Sequence, residues 1–184
     1  ESFGRDVWWL WGHRHATARR ILNLVVGATG IILTLPVWVV IAILVKLTSR
    51  GPIFHSQVRV GLDTRDTGAG ADDPRRRHDL GGKPFTIYKF RTMHAAAEQH
   101  TGPVWATKND PRVTSVGRFL RRYRLDELPQ LVNVLKGEMN VVGPRPERPT
   151  IFAELREAIP DYKLRQRARP GITGLAQVRQ QYDS

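Results

Sequence analysis

A chain of 184 residues is long enough to bury a core of its own. Its 29 lysines and arginines against 17 acids give a net charge of +12, mostly from arginine, which points to an anionic partner: nucleic acid, anionic lipid or a phosphorylated small molecule. With no cysteine, a disulfide framework and a cysteine metal site are both excluded.

Trp8, Trp9 and Trp11 stand beside His13, Arg14, His15, Arg19 and Arg20. Aromatics next to basic residues, just ahead of an apolar run, are what a membrane–water interface selects. Ile21–Val45 is that run: it carries no charge, and Asn23 is its most polar member. Its length suits a bilayer span. Pro36, near the middle, removes a helix hydrogen bond and predicts a kink. Arg19 and Arg20 before the run, with Lys46 and Arg50 after it, give no positive-inside asymmetry. The expectation is a re-entrant helix hairpin bent at Pro36 with both ends on the cytoplasmic side, a straight span being the rival. Residues 1–50 then form a membrane-interface segment with the re-entrant helix, and residues 51–184 have the composition of a soluble domain on the cytoplasmic side.

Ile53–Val60 and Phe85–Phe90 read as two strands, joined by a long Gly-, Asp- and Arg-rich loop from Asp63 to Gly82. The run Arg75-Arg76-Arg77-His78 within that loop reads as a solvated or lipid-facing patch. Lys89 and Arg91 alternate along the second strand, so they are predicted to share a face. A short helix is predicted over Ala95–Gln99, and Asn109-Asp110-Pro111-Arg112 as a turn. Thr114 or Ser115 can cap a following helix in which Val116, Phe119, Leu120 and Tyr123 make an apolar stripe, with Arg118, Arg121 and Arg122 elsewhere. That helix suits a membrane interface, and an ordinary amphipathic surface helix has the same pattern.

Arg121-Arg122-Tyr123-Arg124-Leu125-Asp126-Glu127 is the stretch the chain is organised around. Two adjacent carboxylates follow a run of arginines and open an apolar repeat of Leu128, Leu131, Val132 and Leu135, the spacing of one helix face, closed by Lys136-Gly137. Pro129 falls in the first turn, where its missing N–H costs little. At a helix N-terminus the acids are expected to have lowered pKa values and to lie where phosphate is favoured. The arginines are candidates to hold phosphate and the acids a divalent cation. A helix cap with surface salt bridges would use the same residues, and both readings stay open on this stretch alone.

Val141–Glu147 is too proline-rich for a helix interior and reads as a rigid extended turn presenting Arg145. Pro149–Arg167 is amphipathic and interrupted by Pro160. Arg169-Pro170-Gly171-Ile172-Thr173-Gly174 sets glycines and a threonine behind an arginine, a turn through which backbone N–H groups can approach a ligand. No P-loop, GxGxxG turn or His-rich metal motif is present, and no recognition helix or aromatic-studded sheet supports nucleic-acid binding. The fold class expected is α+β: a monotopic membrane protein with the re-entrant hairpin, interfacial amphipathic helices and a small β-hairpin.

Four blocks, Lys89–Met93, Asp126–Met139, Val142–Glu147 and Arg169–Val178, together resemble the bacterial sugar transferases, the monotopic phosphoglycosyl transferases. The resemblance covers about residues 18–178 and includes the apolar run with its central proline. It implies transfer of sugar 1-phosphate from a UDP-sugar to polyprenyl phosphate, yielding UMP. It implies Asp126 as nucleophile, Glu127 as supporting acid, Mg²⁺ held at Asp126 and Glu127, and Arg145 on phosphate. Arg121, Arg122, Lys89, Arg91, Gln130, Arg169, Thr173 and Gln177 are further candidates for phosphate or substrate binding. Expected partners are a UDP-sugar, polyprenyl phosphate and membrane lipids, with a homo-oligomer as a further candidate and no nucleic acid. The expected location is the cytoplasmic face of a bacterial inner membrane. The loop after the first strand is longer than the family's usual turn, and the family's continuation after Val178 is expected to be missing here. A non-catalytic membrane-attached binding or scaffolding protein of the same fold is the alternative, which intact Asp126, Glu127, Arg145 and Lys89 disfavour.

Overall fold

A computed structural model describes residues 16–63, 82–95, 97 and 110–179 of the chain. The tryptophan cluster at 8–11, the arginine run at 75–77 and most of the helix predicted at 95–99 lie outside the described residues.

Helix α1 runs Ala16–Thr48 without a break at Pro36. The kink expected at Pro36 therefore falls inside one continuous helix. A single proline removes one backbone donor, and the bonds on either side can carry the helix through. Thr34 Oγ1 donates to Gly30 O (2.6 Å) and accepts from Trp38 Nε1 (3.1 Å), a side-chain ladder over that same stretch. This is the helix long and apolar enough to cross a membrane among the described residues.

Both ends of α1 are fastened to the same body. Arg20 donates to Val134 O and Leu135 O at 2.7 and 2.6 Å, and Asn23 is buried against Asn140 and Val141. At the far end Arg91 donates to Ser49 O and Arg50 O at 2.6 and 3.0 Å. The carbonyls involved lie at or just beyond helix C-termini, where backbone acceptors lack partners and cations are favoured. Between them the outer side of α1 exposes Ile32, Leu33, Leu35, Val37, Val39 and Val40.

Strands β1 (Phe54–Val60) and β2 (Pro84–Phe90) pair antiparallel, with Phe54 opposite Phe90 and Val60 opposite Pro84. Helices α2 (Ser115–Arg122) and α3 (Gln130–Lys136) follow, then β3 (Asn140–Val142). Helix α4 (Pro149–Ala158), a 3₁₀ turn at Tyr162–Arg167, β4 (Gly171–Thr173) and α5 (Leu175–Arg179) complete the described chain. β3 and β4 form a second, parallel pair, Asn140 beside Gly171 and Val142 beside Thr173. The α+β expectation stands. This second sheet stands where the sequence predicts only an extended turn and a glycine turn.

Two apolar clusters hold these elements. Ile41 and Val45 of α1 meet Phe90 and Leu120, with Leu125 and Leu128 packed alongside. Phe85 and Ile87 meet Val134 and Met139. Alternation along β2 puts Phe85 and Ile87 on one face and Phe90 on the other, so one strand feeds both clusters. Burying a side chain such as Phe90 stabilises the fold by about 1.5–3 kcal/mol. Asn133 of α3, fully buried, ties that helix to β2: its Nδ2 donates to Thr86 O (2.7 Å) and Glu138 Oε2 (2.7 Å), and its Oδ1 accepts from Tyr88 N (3.2 Å).

The stripe expected on α2 divides. Leu120 is buried and Val116 packs on the first cluster, whereas Phe119 and Tyr123 are exposed and touch each other, ring centres 4.8 Å apart.

Candidate active site

Thr114 caps α2, its Oγ1 accepting from Gly117 N at 2.9 Å. The close approach is why residue 117 is glycine, since a Cβ there would lie 2.0 Å from Thr92 O. α2 ends at Tyr123, and Arg124 takes the left-handed conformation (φ 58°). That conformation costs a non-glycine residue about 1 kcal/mol. It turns the chain into a single 3₁₀ turn, Leu125–Glu127, after which Pro129 caps α3. Asp126 and Glu127 therefore sit in a tight corner ahead of α3 rather than inside its first turn. Leu125 and Leu128, packed on the first apolar cluster, fix the corner from both sides. Gly137 (φ 82°) closes α3 as its sequence signal predicts.

Both acids are buried, at 6% and 5% exposure. Glu127 Oε1 accepts from Lys89 Nζ at 2.8 Å and from Arg145 Nη2 at 3.1 Å, and Arg124 Nη1 lies 3.6 Å away. Lys89 shares the β2 face of Phe85 and Ile87, and that shared face points its ammonium inward. Burial alone would raise the Glu127 pKa, but Lys89, Arg145 and Arg124 outweigh it and hold the carboxyl down to about 2. Lys89 is itself pulled down by burial, with Glu127 and Asp126 opposing. Asp126 shifts the other way. Burial raises its pKa against the pull of Lys89, Arg121 and Arg124, and the Glu127 charge adds to the rise. The lowered value expected from a helix N-terminus is thus overturned for Asp126, because desolvation dominates in a corner that precedes the helix. Asp126 Oδ1 is buried without a hydrogen-bond partner. Arg121, anchored by Nε to Thr92 Oγ1 (2.9 Å), supplies a further charge to Asp126.

Two carboxylates therefore face four cations, an electrostatic excess that suits a phosphorylated ligand. Next to them, a cavity of about 280 Å³ is lined by Arg124, Glu127, Leu128, Leu131, Ile172, Thr173 and Gln177. Gln177 is oriented by Nε2 donating to Ile172 O at 3.1 Å.

Of the residues expected at the site, the fold brings together Asp126, Glu127, Lys89, Arg145 and Arg121, with Thr173 and Gln177 along the cavity. Gln130 is buried at the start of α3. Arg169 is exposed, and Arg122 is exposed over the Tyr123 ring, 5.9 Å from its centre. Arg91 does not share Lys89's surroundings. β2 ends at Phe90, the alternation stops there, and Arg91 turns to the end of α1. Arg124 belongs to the arginine run that the sequence offers for phosphate, whereas nothing in the sequence marks Arg59 and Arg165. The latter two act on backbone carbonyls, for which residue type carries no signal.

Among the described residues no three metal-ligating side chains gather. Asp126 and Glu127 alone nevertheless fit Mg²⁺, which commonly takes one or two carboxylates and completes its shell with water and substrate phosphate. The orphaned Asp126 Oδ1 is the oxygen with capacity to spare.

Residues 14–69 and 73–184 match the family described as bacterial sugar transferase. A putative undecaprenyl-phosphate N-acetylgalactosaminyl 1-phosphate transferase of Bacillus subtilis is 41% identical over 83% of this chain and 74% of its own length. A UDP-glucose:undecaprenyl-phosphate glucose-1-phosphate transferase of Klebsiella pneumoniae is 44% identical over 87% of the chain but 30% of its own. A UDP-N-acetylgalactosamine-undecaprenyl-phosphate N-acetylgalactosaminephosphotransferase of Aeromonas hydrophila is 41% identical over 89% of the chain and 34% of its own length. The match thus spans most of the first relative and about a third of the other two. The chain belongs to the bacterial sugar transferase family, the phosphoglycosyl transferases.

Proposed function

We propose that the chain transfers sugar 1-phosphate from a UDP-sugar to a polyprenyl phosphate, through a phospho-sugar carried covalently on Asp126. The observation that carries this is Asp126 itself: a buried carboxylate with an unpartnered oxygen, next to a Glu127 already neutralised by Lys89 and Arg145. An Asp126 oxygen attacks the sugar-bearing phosphorus, the bond to the bridging oxygen breaks, and UMP departs with that electron pair. An oxygen of polyprenyl phosphate then attacks the same phosphorus and the Asp126 carboxylate leaves, regenerated. Two displacements replace one difficult step. Attack by an anion on a diphosphate needs charge neutralisation, which Arg145, Arg121 and Arg124 supply. Mg²⁺, which Asp126 and Glu127 would hold, would add to that neutralisation when bound.

The reaction takes place at the cytoplasmic face of the membrane, with α1 entering one leaflet and returning. Support comes from its symmetric basic flanks, its exposed apolar side and the attachment of both its ends to one body. Its product would start the assembly of an exopolysaccharide or related glycan. UMP release from UDP-sugars before any lipid is added, with a sugar-phosphate adduct on the Asp126 peptide, is the expected result. Asp126→Asn abolishes both. Intersecting initial-rate lines with no adduct would leave Asp126 without the nucleophile role.

A further inference from the structure

The segment from Pro144 to Glu147 has no regular secondary structure, and its two prolines bring no N–H. Its four consecutive carbonyls are nevertheless all taken, by three separate elements: β4, the 3₁₀ turn at Tyr162–Arg167 and, twice, β1. Pro144 O accepts from Gly171 N of β4 (2.9 Å) and Glu147 O from Val60 N of β1 (3.0 Å). The two carbonyls between them are held by guanidinium groups. Arg145 O accepts from Arg165 Nη2 at 2.7 Å, and Pro146 O from Arg59 Nη1 at 3.0 Å. Arg165 is braced in turn by Glu147 Oε1 (3.6 Å) and by Tyr162, whose hydroxyl it contacts and whose ring centre is 4.7 Å away.

Proline fixes φ on both sides of Arg145, so the free torsions of the segment are chiefly ψ angles and those of Arg145. A carbonyl's direction reports ψ, and a donor that holds the carbonyl holds ψ. We propose that Arg59 and Arg165 are positioning residues, which grip the carbonyls of Arg145 and Pro146 and thereby aim the Arg145 guanidinium at Glu127 and at the substrate phosphate. The inference rests on the function proposed above. The hydrogen bonds of Arg59 and Arg165 go to the segment that carries Arg145 and not to Asp126 or Glu127. Arg59 also acts on Glu127 directly by charge, and an effect that passes through Arg145 is told from that one by whether it survives the loss of Arg145.

That dependence is what a double-mutant cycle measures. Arg165→Met and Arg59→Met are each combined with Arg145→Ala, and kcat/KM is read as UMP release in detergent. If the two arginines work through Arg145, each Met variant loses about tenfold alone and under about twofold once Arg145 is gone. Arg165→Lys recovers part of the loss, since an ammonium can still donate to Arg145 O. Lys163→Ala, exposed on the same 3₁₀ turn, changes nothing in either background. Losses that multiply in the double variants would overturn the positioning role. An Arg145→Ala variant at full rate would overturn it together with the phosphate role of Arg145. The same cycle read on UDP affinity needs no turnover, so absence of UMP release by the parent chain counts against the proposed function and leaves the positioning role under test.

Discussion

Asn23, the one strongly polar side chain of an otherwise apolar run, is bonded at both ends of its amide to residues more than a hundred positions away. Its Nδ2 donates to Asn140 Oδ1 and its Oδ1 accepts from Val141 N, each at 2.9 Å. Asn23→Ala would leave both partners unsatisfied beside a buried helix face, at about 1–3 kcal/mol. Thermal unfolding in detergent should show the loss. Because β3 leads directly into the Arg145 segment, UMP release should fall as well. An unchanged midpoint would remove Asn23 from the account of how α1 is seated.

Acid should act on the two carboxylates in opposite senses. Glu127 titrates at about 2 in the fold against an ordinary 4.5, so its contribution to stability is present above pH 4.5 and is lost as pH falls towards about 2. Asp126 has a raised value. Its contribution favours the fold at low pH and fades as pH climbs through the folded pKa. Unfolding free energy measured from pH 2 to 7 should therefore rise with pH across the lower part of that range, and Glu127→Gln should flatten the rise.

The rate carries a separate signature of Asp126. A nucleophile must be ionised, so single-turnover adduct formation should lose activity on the acid side above the 3.8 ordinary for aspartate. Glu127 raises Asp126 by like charge, so Glu127→Gln should move that acid limb to lower pH while slowing turnover overall. A limb that stays put would mean that another group titrates.

Arg145→Ala removes a charge-assisted contact worth roughly 1.5–3 kcal/mol, on the order of a tenfold to hundredfold loss in rate or affinity. Initial rates with varied UDP-sugar measure it. A loss confined to below twofold would exclude Arg145 from the phosphate site.

Since the sequence contains no cysteine, single engineered thiols report without background. Thr17→Cys, in the first turn of α1, and Ser56→Cys, in β1 beyond its other end, are both exposed. Both should react with a membrane-impermeant reagent from the same side of sealed vesicles. Labelling from opposite sides would establish a straight span.

The parts of this fold that were legible in the sequence are local. Alternation marks β1 and β2 to within a residue, Gly137 is an evident stop, and of the two cap candidates, Thr114 and Ser115, the structure selects Thr114. β3 and β4 were not legible: each has three residues, too few for a period, and they pair across thirty positions. The site divides in the same way. Asp126, Glu127 and Arg145 stood out by residue type and motif. Lys89 and Arg91 looked equivalent until the strand end separated them, and the sense of the Asp126 shift depended on burial that no local pattern encodes.

The carbonyl row at 144–147 makes chain length, more than side-chain identity, the constrained quantity there. Each peptide link advances an extended chain by about 3.3–3.6 Å, longer than any of the hydrogen bonds that hold the row. Adding or deleting one residue between Gly143 and Arg148 would put every acceptor one place out of phase with its donor and carry Arg145 past Glu127. Point changes in this segment should be graded in effect, whereas a single-residue indel should act as a null allele.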